Sequence, residues 1–386
     1  MQDHASIVVV GGGIIGVSIA NALTKAGVED VLVLEKDSLA SGSTGRSAGV
    51  IETQYFTDFD VAIRAYSLRA FERVADETRA EFPQVGYVRL LMDPDDEERF
   101  RESIRIQRRH GVDDARFLDP SEVATVVPDL NVEDVHGAIY GPSDGYADPY
   151  TMTQIFAERA RTNGATVHTG VAAESVAVDD GEVRAVETSE GRVECETVVN
   201  AAGPWAPRLA AQTGLELPAA PYRRQVIVAE PPEEDAPDYT IPTVMEYVPG
   251  GSKAGVYFRG EGANQVLLGL HQEVGTDEEP SDPDRYSTDY DESVVLEISD
   301  LLDHRAPAFS DLSVVNGWSG LYTITPDTQP IIDTHPSIDG YVLAAGFSGK
   351  GFQIGPAVGE IVSDLVLDGE TDLVPDLSPV SLSRFE

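Results

Sequence analysis

Cysteine is nearly absent from this 386-residue chain. Cys195 stands alone, which excludes an intrachain disulfide and any metal cluster built on cysteines within the chain. Lysine is almost as scarce. The four lysines are Lys25, Lys36, Lys253 and Lys350; with the arginines they make 27 basic residues against 67 acidic ones, a formal charge of −40. So little positive charge argues against nucleic acid and anionic membrane surfaces as partners. No apolar run approaches the length of a membrane span, roughly 18 residues or more. No basic, apolar leader is visible before the chain enters a strand near residue 6, so a cytoplasmic location is expected. The acids are spread along the chain. Self-repulsion of that size needs counter-ions, as in a halophilic protein working in concentrated salt. The length exceeds one simple core and suits two closely joined domains.

What is there begins with glycine. Ser6-Ile-Val-Val-Val10 reads as a strand, Gly11-Gly12-Gly13-Ile14-Ile15-Gly16 as a Gly-x-Gly-x-x-Gly turn opening a helix, and Val31-Leu32-Val33-Leu34-Glu35 as a second strand ending in an acid. Gly11 permits the sharp turn, Gly13 lets backbone approach a pyrophosphate, and Gly16 lets helix and strand pack closely. The helix N-terminus presents free N–H groups to phosphates. Glu35 is placed to accept from a ribose hydroxyl. Together these features predict a bound dinucleotide.

Further along, helices are expected near Val61–Phe82, Asp95–Arg109, Tyr150–Asn163 and Ile354–Leu367. The arginines of the second read as a solvated face. Short strands at Ala165–His168, Ser175–Val178, Val183–Glu187 and Val193–Cys195, with turns at Asp179-Asp180-Gly181 and Glu190-Gly191, form a β-meander. The strand 197–201 should rejoin the first sheet beside 6–10, 31–35 and 341–345. Val226–Ala229, Val244–Val248, Gly255–Arg259 and Gln265–Leu270 read as a mostly antiparallel sheet, broken by acidic loops at Glu230–Asp238 and Thr276–Glu292. The fold class is therefore α/β with an α+β cap. A Rossmann-like parallel sheet with its meander (1–85, 145–215, 320–386) is interrupted by a mostly antiparallel substrate-binding domain (86–144, 216–319).

Three separated stretches carry a resemblance. They are Gly42-Ser43-Thr44-Gly45-Arg46-Ser47-Ala48-Gly49, Gly317-Trp318-Ser319-Gly320-Leu321-Tyr322-Thr323-Ile324-Thr325-Pro326-Asp327, and Ala344-Ala345-Gly346-Phe347-Ser348-Gly349-Lys350-Gly351-Phe352. With the opening turn, the chain resembles the D-amino-acid oxidase superfamily of FAD enzymes over its whole length. The nearest branch holds sarcosine oxidase β-subunits, glycine oxidases, and proline and dimethylglycine dehydrogenases. The resemblance implies FAD as cofactor. Gly11, Gly13, Ile14, Ile15 and Gly16 would hold the pyrophosphate, and Glu35 and Lys36 the adenosine ribose side. Ser43, Thr44, Arg46, Ser47, Ala48 and Gly49 would line the stretch towards the flavin ring. Val171 would meet the adenine edge through its backbone. Ala202, Gly203 and Trp205 would border the same cofactor. Gly349, Lys350, Gly351, Phe352 and Gln353 would lie at the pyrimidine edge, where a helix N-terminus favours negative charge. Lys350 either adds to that field or faces solvent.

The implied reaction is oxidation of the C–N bond of an amine or amino acid, with hydride passing to flavin N5 and water hydrolysing the imine. His271 and Tyr322 are the pocket candidates, and His271 or Glu52 could assist loss of the ammonium proton. Three departures from the family pattern matter. The cysteine that attaches flavin in sarcosine oxidases is matched by Gly320, so FAD is expected to be noncovalent. Carboxylate-gripping positions are matched by Glu52 and Gln353, so a larger or more cationic substrate is expected, unless Arg46, Arg223, Arg224 or Arg259 supplies a clamp. An oxygen-activating lysine is matched by Leu267, which leans towards a dehydrogenase with another electron acceptor than O2. Alternatives are a flavin subunit of a multi-subunit electron-transfer dehydrogenase, or a hydroxy-acid or glycerol phosphate dehydrogenase. No metal is expected. A homo- or hetero-oligomer is compatible with the sequence.

Overall fold

The computed structural model describes residues 2–386 except 233–236, 247, 249–254, 263, 272–277 and 310. Its first sheet has six strands. Ile331–Thr334, Tyr341–Ala345, Thr197–Asn200, Ile7–Val10, Val31–Glu35 and Thr166–Thr169 lie side by side in that order. All neighbours are parallel except the edge strand Ile331–Thr334, which runs antiparallel to Tyr341–Ala345. The inner strands Ile7–Val10, Val31–Glu35 and Tyr341–Ala345 are buried on both faces along nearly their whole length, which is why they read as apolar runs. Val9 and Val33 face helices, and Val8, Val10, Leu32 and Leu34 face the meander and a short helix, Ala206–Ala211.

Two helices meet on the first of these faces. The first helix, Ile14–Lys25, lies against the last, Gly351–Leu367. They approach closely because a Cβ at Gly355 would stand 2.8 Å from Ile14 Cγ1, and one at Gly359 2.6 Å from the Ser18 carbonyl. This packing brings both helix N-termini to the same end of the sheet, where the strands at Val10, Glu35 and Asn200 also end.

The second sheet has eight strands in the order Ser313–Ile324, Ala220–Glu230, Gln265–His271, Gly255–Glu261, Thr243–Met245, Tyr87–Leu91, Gly137–Gly141 and Arg116–Leu118. It is antiparallel apart from the pairing of Thr243–Met245 with Tyr87–Leu91. Alternate residues point to opposite faces. Val88, Val244, Phe258, Leu268 and Ile227 build a core with the helix Glu292–Arg305. The other face looks towards the first sheet.

Several expectations shift. The sequence groups Ala165–His168 with the meander, but Thr166–Thr169 pairs with Val31–Glu35 in the parallel sheet. The meander is Ala173–Asp179, Glu182–Thr188 and Gly191–Glu194. The helix expected at Val61–Phe82 is Asp58–Thr78, begun by Thr57, whose Oγ1 accepts from the Asp60 N–H, and ended by Arg79 at φ 64°. The last helix begins at Gly351, three residues earlier than its apolar period suggested. Val226–Ala229 is the middle of the long strand Ala220–Glu230, and Val244–Val248 shortens to Thr243–Met245, with residue 247 outside the described residues. The loops expected at Glu230–Asp238 and Thr276–Glu292 fall partly outside them too, as does Lys253. The helix Glu292–Arg305 was not anticipated. Its apolar residues Val294, Val295, Ile298 and Leu302 do carry a helical period, obscured by the acids around them. The arginines of Glu97–Arg109 pair with acids at the surface, as Arg101 with Glu97 and Arg105 with Glu102.

Candidate functional site

A cleft of about 490 Å³ lies between the two sheets. At one end it is floored by the glycine turn. Gly11 has φ +117°, and a Cβ there would lie 2.3 Å from the Ala201 carbonyl; one at Gly16 would lie 1.9 Å from the Gly11 carbonyl. Both glycines are therefore demanded by backbone packing. Gly13 differs. A Cβ there would have only Thr44 within 4 Å, at 3.0 Å from its Oγ1, because its remaining side is open cleft. Gly13 caps the first helix without a side-chain partner, and the Ile14 N–H reaches Thr44 Oγ1 at 3.2 Å. An uncapped helix start facing a cleft is a site for an anion. Glu35 braces this turn: its carboxylate accepts from the Gly12 N–H at 2.7 Å and from the Asp37 N–H at 2.9 Å. A carboxylate accepts about four hydrogen bonds, so a sugar hydroxyl can still be taken.

Among the other expected cofactor residues, Ile14, Ile15, Lys36, Ser43, Thr44, Arg46, Ser47, Ala48, Ala202, Gly203, Trp205, Gly349, Gly351 and Phe352 line the cleft. Gly16 lies under the turn. Gly49, at φ +70°, serves the fold, since its side faces the Ala147 carbonyl. Val171 donates its N–H to the Glu35 carbonyl at 2.9 Å, and Ala172 and Ala173 line the wall beside it. Arg46 clasps the carbonyls of Ser41 and Gly42, and its own carbonyl accepts from Trp318 Nε1 at 2.9 Å. Gly320 sits against Arg46, a Cβ there meeting Arg46 Cβ at 3.0 Å. Cys195 is buried in another core, and burial pushes its thiol up to about 12.

One wall was not foreseen. Asp284, from a loop far along the chain, accepts from Trp205 Nε1 at 2.7 Å and Arg208 at 2.5 Å, with Lys36 at 3.3 Å. The Lys36 ammonium stands 3.7 Å above the Trp205 ring. Asp284 and Tyr286 line the cleft at this rim.

At the other end the eight-stranded sheet supplies the chemistry. Register puts Arg89, Met245, Tyr257, Gly269, Val226 and Trp318 in one row across six strands. Arg259, His271, Arg224 and Leu267 lie two residues from members of this row, so their side chains share its face. Tyr257, Arg224 and Tyr322 line the cleft, and the Tyr322 ring lies so close to Gly349 that a Cβ there would be 2.3 Å away. Burial pushes the Tyr257 and Tyr322 hydroxyls up, so both stay protonated donors. Arg89 and Tyr257 were missed. A charge between apolar neighbours, as in Val88-Arg89-Leu90, was the available signal.

The expected catalytic residues fare unequally. Tyr322 is at the cleft. Glu52 is 3 % exposed and off the cleft wall; it faces Arg89 at 3.7 Å and accepts from the Gln54 N–H at 2.7 Å. Its charge is therefore offset by a buried arginine rather than presented to a ligand. Asp144, beside it, is pushed well above the usual carboxylate range by burial and by Glu52. Lys350 does not face solvent: it is 8 % exposed and donates to the Thr328 carbonyl at 2.8 Å. Burial and then Arg64 pull it down to about 8. Gln353 keeps a buried carboxamide oxygen with no hydrogen-bond partner. His271, at the end of its strand, is pulled down to about 3 by burial and by Arg89, Lys350 and Arg224. Arg223 is turned to the surface loop at Ser287 and Asp291, and Arg259 holds the Ala48 carbonyl at 2.8 Å. Among the described residues no group of three or more His, Cys, Asp and Glu could hold a metal, and no helix is long and apolar enough to cross a membrane.

Residues 6–365 match the family described as FAD dependent oxidoreductase. Mouse (Mus musculus) mitochondrial dimethylglycine dehydrogenase is 29 % identical over 397 residues, covering 100 % of this chain and 44 % of that protein. The chain thus spans less than half the length of the dimethylglycine dehydrogenases it matches. Among solved structures, L-proline dehydrogenase from P. horikoshii superposes with a TM-score of 0.88 at 32 % identity, covering 100 % of both chains. Glycine oxidase from Geobacillus kaustophilus gives 0.81 at 25 % identity, covering 99 % of each. A glycine turn opening onto a long cleft, a second helix start at its far end, and likeness over the whole chain lead to one conclusion: the chain belongs to the family of FAD-dependent oxidoreductases.

Proposed function

We propose that the protein oxidises the C–N bond of a small amine or amino acid. The observation that supports this most is the polar sheet face, with Tyr257, Tyr322 and Arg224 opening on the cleft that the glycine turn floors. The whole-length likeness to a protein titled L-proline dehydrogenase supports the same class. The cleft fits FAD, because Gly13 and the uncapped helix start leave room and N–H donors for a pyrophosphate. Gly11, Gly13, Thr44 and Glu35 would hold the nucleotide half. Gly349, Gly351 and Phe352, at the start of the last helix, would hold the ring's electron-rich edge. Gly320 opposite Arg46 supports noncovalent attachment. When bound, FAD accepts the hydride. The chain's own residues orient the substrate and govern its proton. His271, held to about 3, is a weak base, and Glu52 is committed to Arg89. The amine therefore enters already neutral, and the two tyrosines act as donors that fix its pose. In this reading residues 86–144 and 216–319 serve the substrate and the rest serves the cofactor.

The test is anaerobic bleaching of the yellow holoenzyme by amines, amino acids and hydroxy acids. Bleaching by amines or amino acids is expected; bleaching by hydroxy acids alone would overturn the reading. We also propose an electron acceptor other than O2. Leu267 is 2 % exposed and puts an alkyl group where the oxidases' lysine is expected. Reduced enzyme should reoxidise slowly in air and fast with an artificial dye. Peroxide release matching the rate of substrate oxidation would sink this.

We propose further that the protein works in a salt-rich cytoplasm. A charge of −40 on one chain repels itself unless screened. The melting temperature should rise from low to molar salt, and one that stays flat would refute the halophilic reading.

A further inference from the structure

The loop from Glu278 to Asp291 touches both sides of the cleft. Its two ends are rooted on the eight-stranded sheet. At the start, Arg224 holds the Glu278 carboxylate at 2.6 Å, and the Ser281 N–H donates to the Pro221 carbonyl at 2.7 Å. At the finish, the Ser319 N–H donates to the Thr288 carbonyl at 2.7 Å, and the Asp291 N–H donates to Gln225 Oε1 at 2.6 Å. Between these roots the loop reaches the other side. Asp284 meets Trp205, Arg208 and Lys36, and Asp282 accepts from Arg208 at 2.6 Å. Lys36 and Trp205 follow the strands Val31–Glu35 and Thr197–Asn200 of the parallel sheet, and Arg208 lies on the short helix Ala206–Ala211 packed against it. These contacts therefore bridge the cleft. Pro283, Asp284, Tyr286 and Thr288 line it, together with Gly13 at one end and Gly349 at the other; Arg208 stands outside its wall.

We propose that this loop is a strap across the cofactor cleft, and that Asp282 and Asp284, gripped by Arg208, Trp205 and Lys36, form a latch that sets how fast FAD enters and leaves. The proposal concerns cofactor exchange and holds whatever substrate the enzyme oxidises. A dinucleotide that reaches from the glycine turn to Gly349 shares the cleft with the strap, and so long a molecule needs the strap lifted to pass. The latch side chains are between 37 and 49 % exposed. Exposed ion pairs are individually weak, so the latch can open while the roots stay in place; one arginine spanning two carboxylates, with Trp205 and Lys36 added, makes that opening slow. The latch joins protein to protein. Breaking it helps entry and exit alike, so exchange quickens and affinity stays, because affinity follows only contacts that differ between the bound and free states.

The experiment mixes holoenzyme with excess isotopically labelled FAD and follows the label taken up by the protein. Loss of bound flavin on dilution gives the Kd. Arg208→Ala and Asp284→Ala should each exchange FAD at least about fivefold faster than the wild type, with Kd within about twofold. The double variant should be no faster than the quicker single one, since either change opens the same latch. Arg105→Ala is the control. It breaks exposed pairs of the same kind, with Glu98 and Glu102 on the helix Glu97–Arg109, and should exchange at the wild-type rate. Unaltered exchange in Arg208→Ala would overturn the proposal, and so would an equal acceleration in Arg105→Ala. Faster release with Kd weakened in proportion would also overturn it, by making these residues supports of cofactor affinity and not a latch. If Asp284→Ala comes out colourless, Arg208→Ala decides, because Arg208 lies outside the cleft wall.

Discussion

Gly13→Val is expected to yield folded protein without yellow colour. The position is unusual among the three glycines of the turn. A side chain at Gly11 or Gly16 meets backbone within 2.3 Å, so the fold itself forbids it. A side chain at Gly13 meets only the Thr44 side chain and otherwise enters the cleft. Valine there fills the space a pyrophosphate needs and blocks approach to the N–H groups of the first helix turn. Gly16→Val gives the contrasting result. Its Cβ would lie 1.9 Å from the Gly11 carbonyl, so strand and helix must separate. Absorbance at the flavin band together with a circular dichroism melt separates the two. Gly13→Val should lose the flavin and keep the secondary structure; Gly16→Val should lose both. A yellow Gly13→Val protein with full FAD content would place the pyrophosphate elsewhere.

The second large effect is on stability. Glu52→Leu should destabilise the protein by about 3–5 kcal/mol, the usual cost of removing one partner from a buried ion pair. Glu52 and Arg89 are 3 % and 2 % exposed, and their charged atoms approach to 3.7 Å. Leucine leaves the arginine facing Tyr87 and Tyr55 without its carboxylate. Glu52→Gln keeps an acceptor for the Gln54 N–H and should cost less. The double variant Glu52→Leu/Arg89→Met removes both charges and should recover much of the loss. Urea unfolding of the wild type, Glu52→Leu, Arg89→Met and the double variant measures the coupling. A loss below about 1 kcal/mol for Glu52→Leu, or simple additivity in the double variant, would show that the pair is not what holds this region. The sequence reading had Glu52 facing a cationic substrate. Burial beside Arg89 removes the repulsion of carboxylates on which that reading rested.

Residues 6–35 determined their own structure. The apolar runs, the glycine spacing and the terminal acid are local signals, and each agrees with the strand–turn–helix–strand unit that forms. The parallel strands near 197 and 341 were legible for a related reason: buried on both faces, Tyr341–Ala345 is apolar apart from its tyrosine hydroxyl, and Thr197–Asn200 carries polar residues only at its ends. The hairpin at Asp180-Gly181 was written in residues that tolerate positive φ, and both adopt it, at 51° and 80°. Where local signal and partner choice separate, the sequence was silent. Thr166–Thr169 reads as a short strand in any sheet, and only the space beside Val31–Glu35 decided which one it joins.

The site divides along the same line. The nucleotide end follows from backbone geometry, which glycines announce. The inner end depends on which charges meet across strands far apart in sequence. Arg89 with Glu52, Arg224 with Glu278, and Asp284 with Trp205 and Lys36 are pairings of this kind. A single charged residue in a sequence does not reveal whether it faces water, an ion partner or a ligand. Its electrostatic meaning is set by burial and by its neighbours within a few ångströms, and only the tertiary structure decides both.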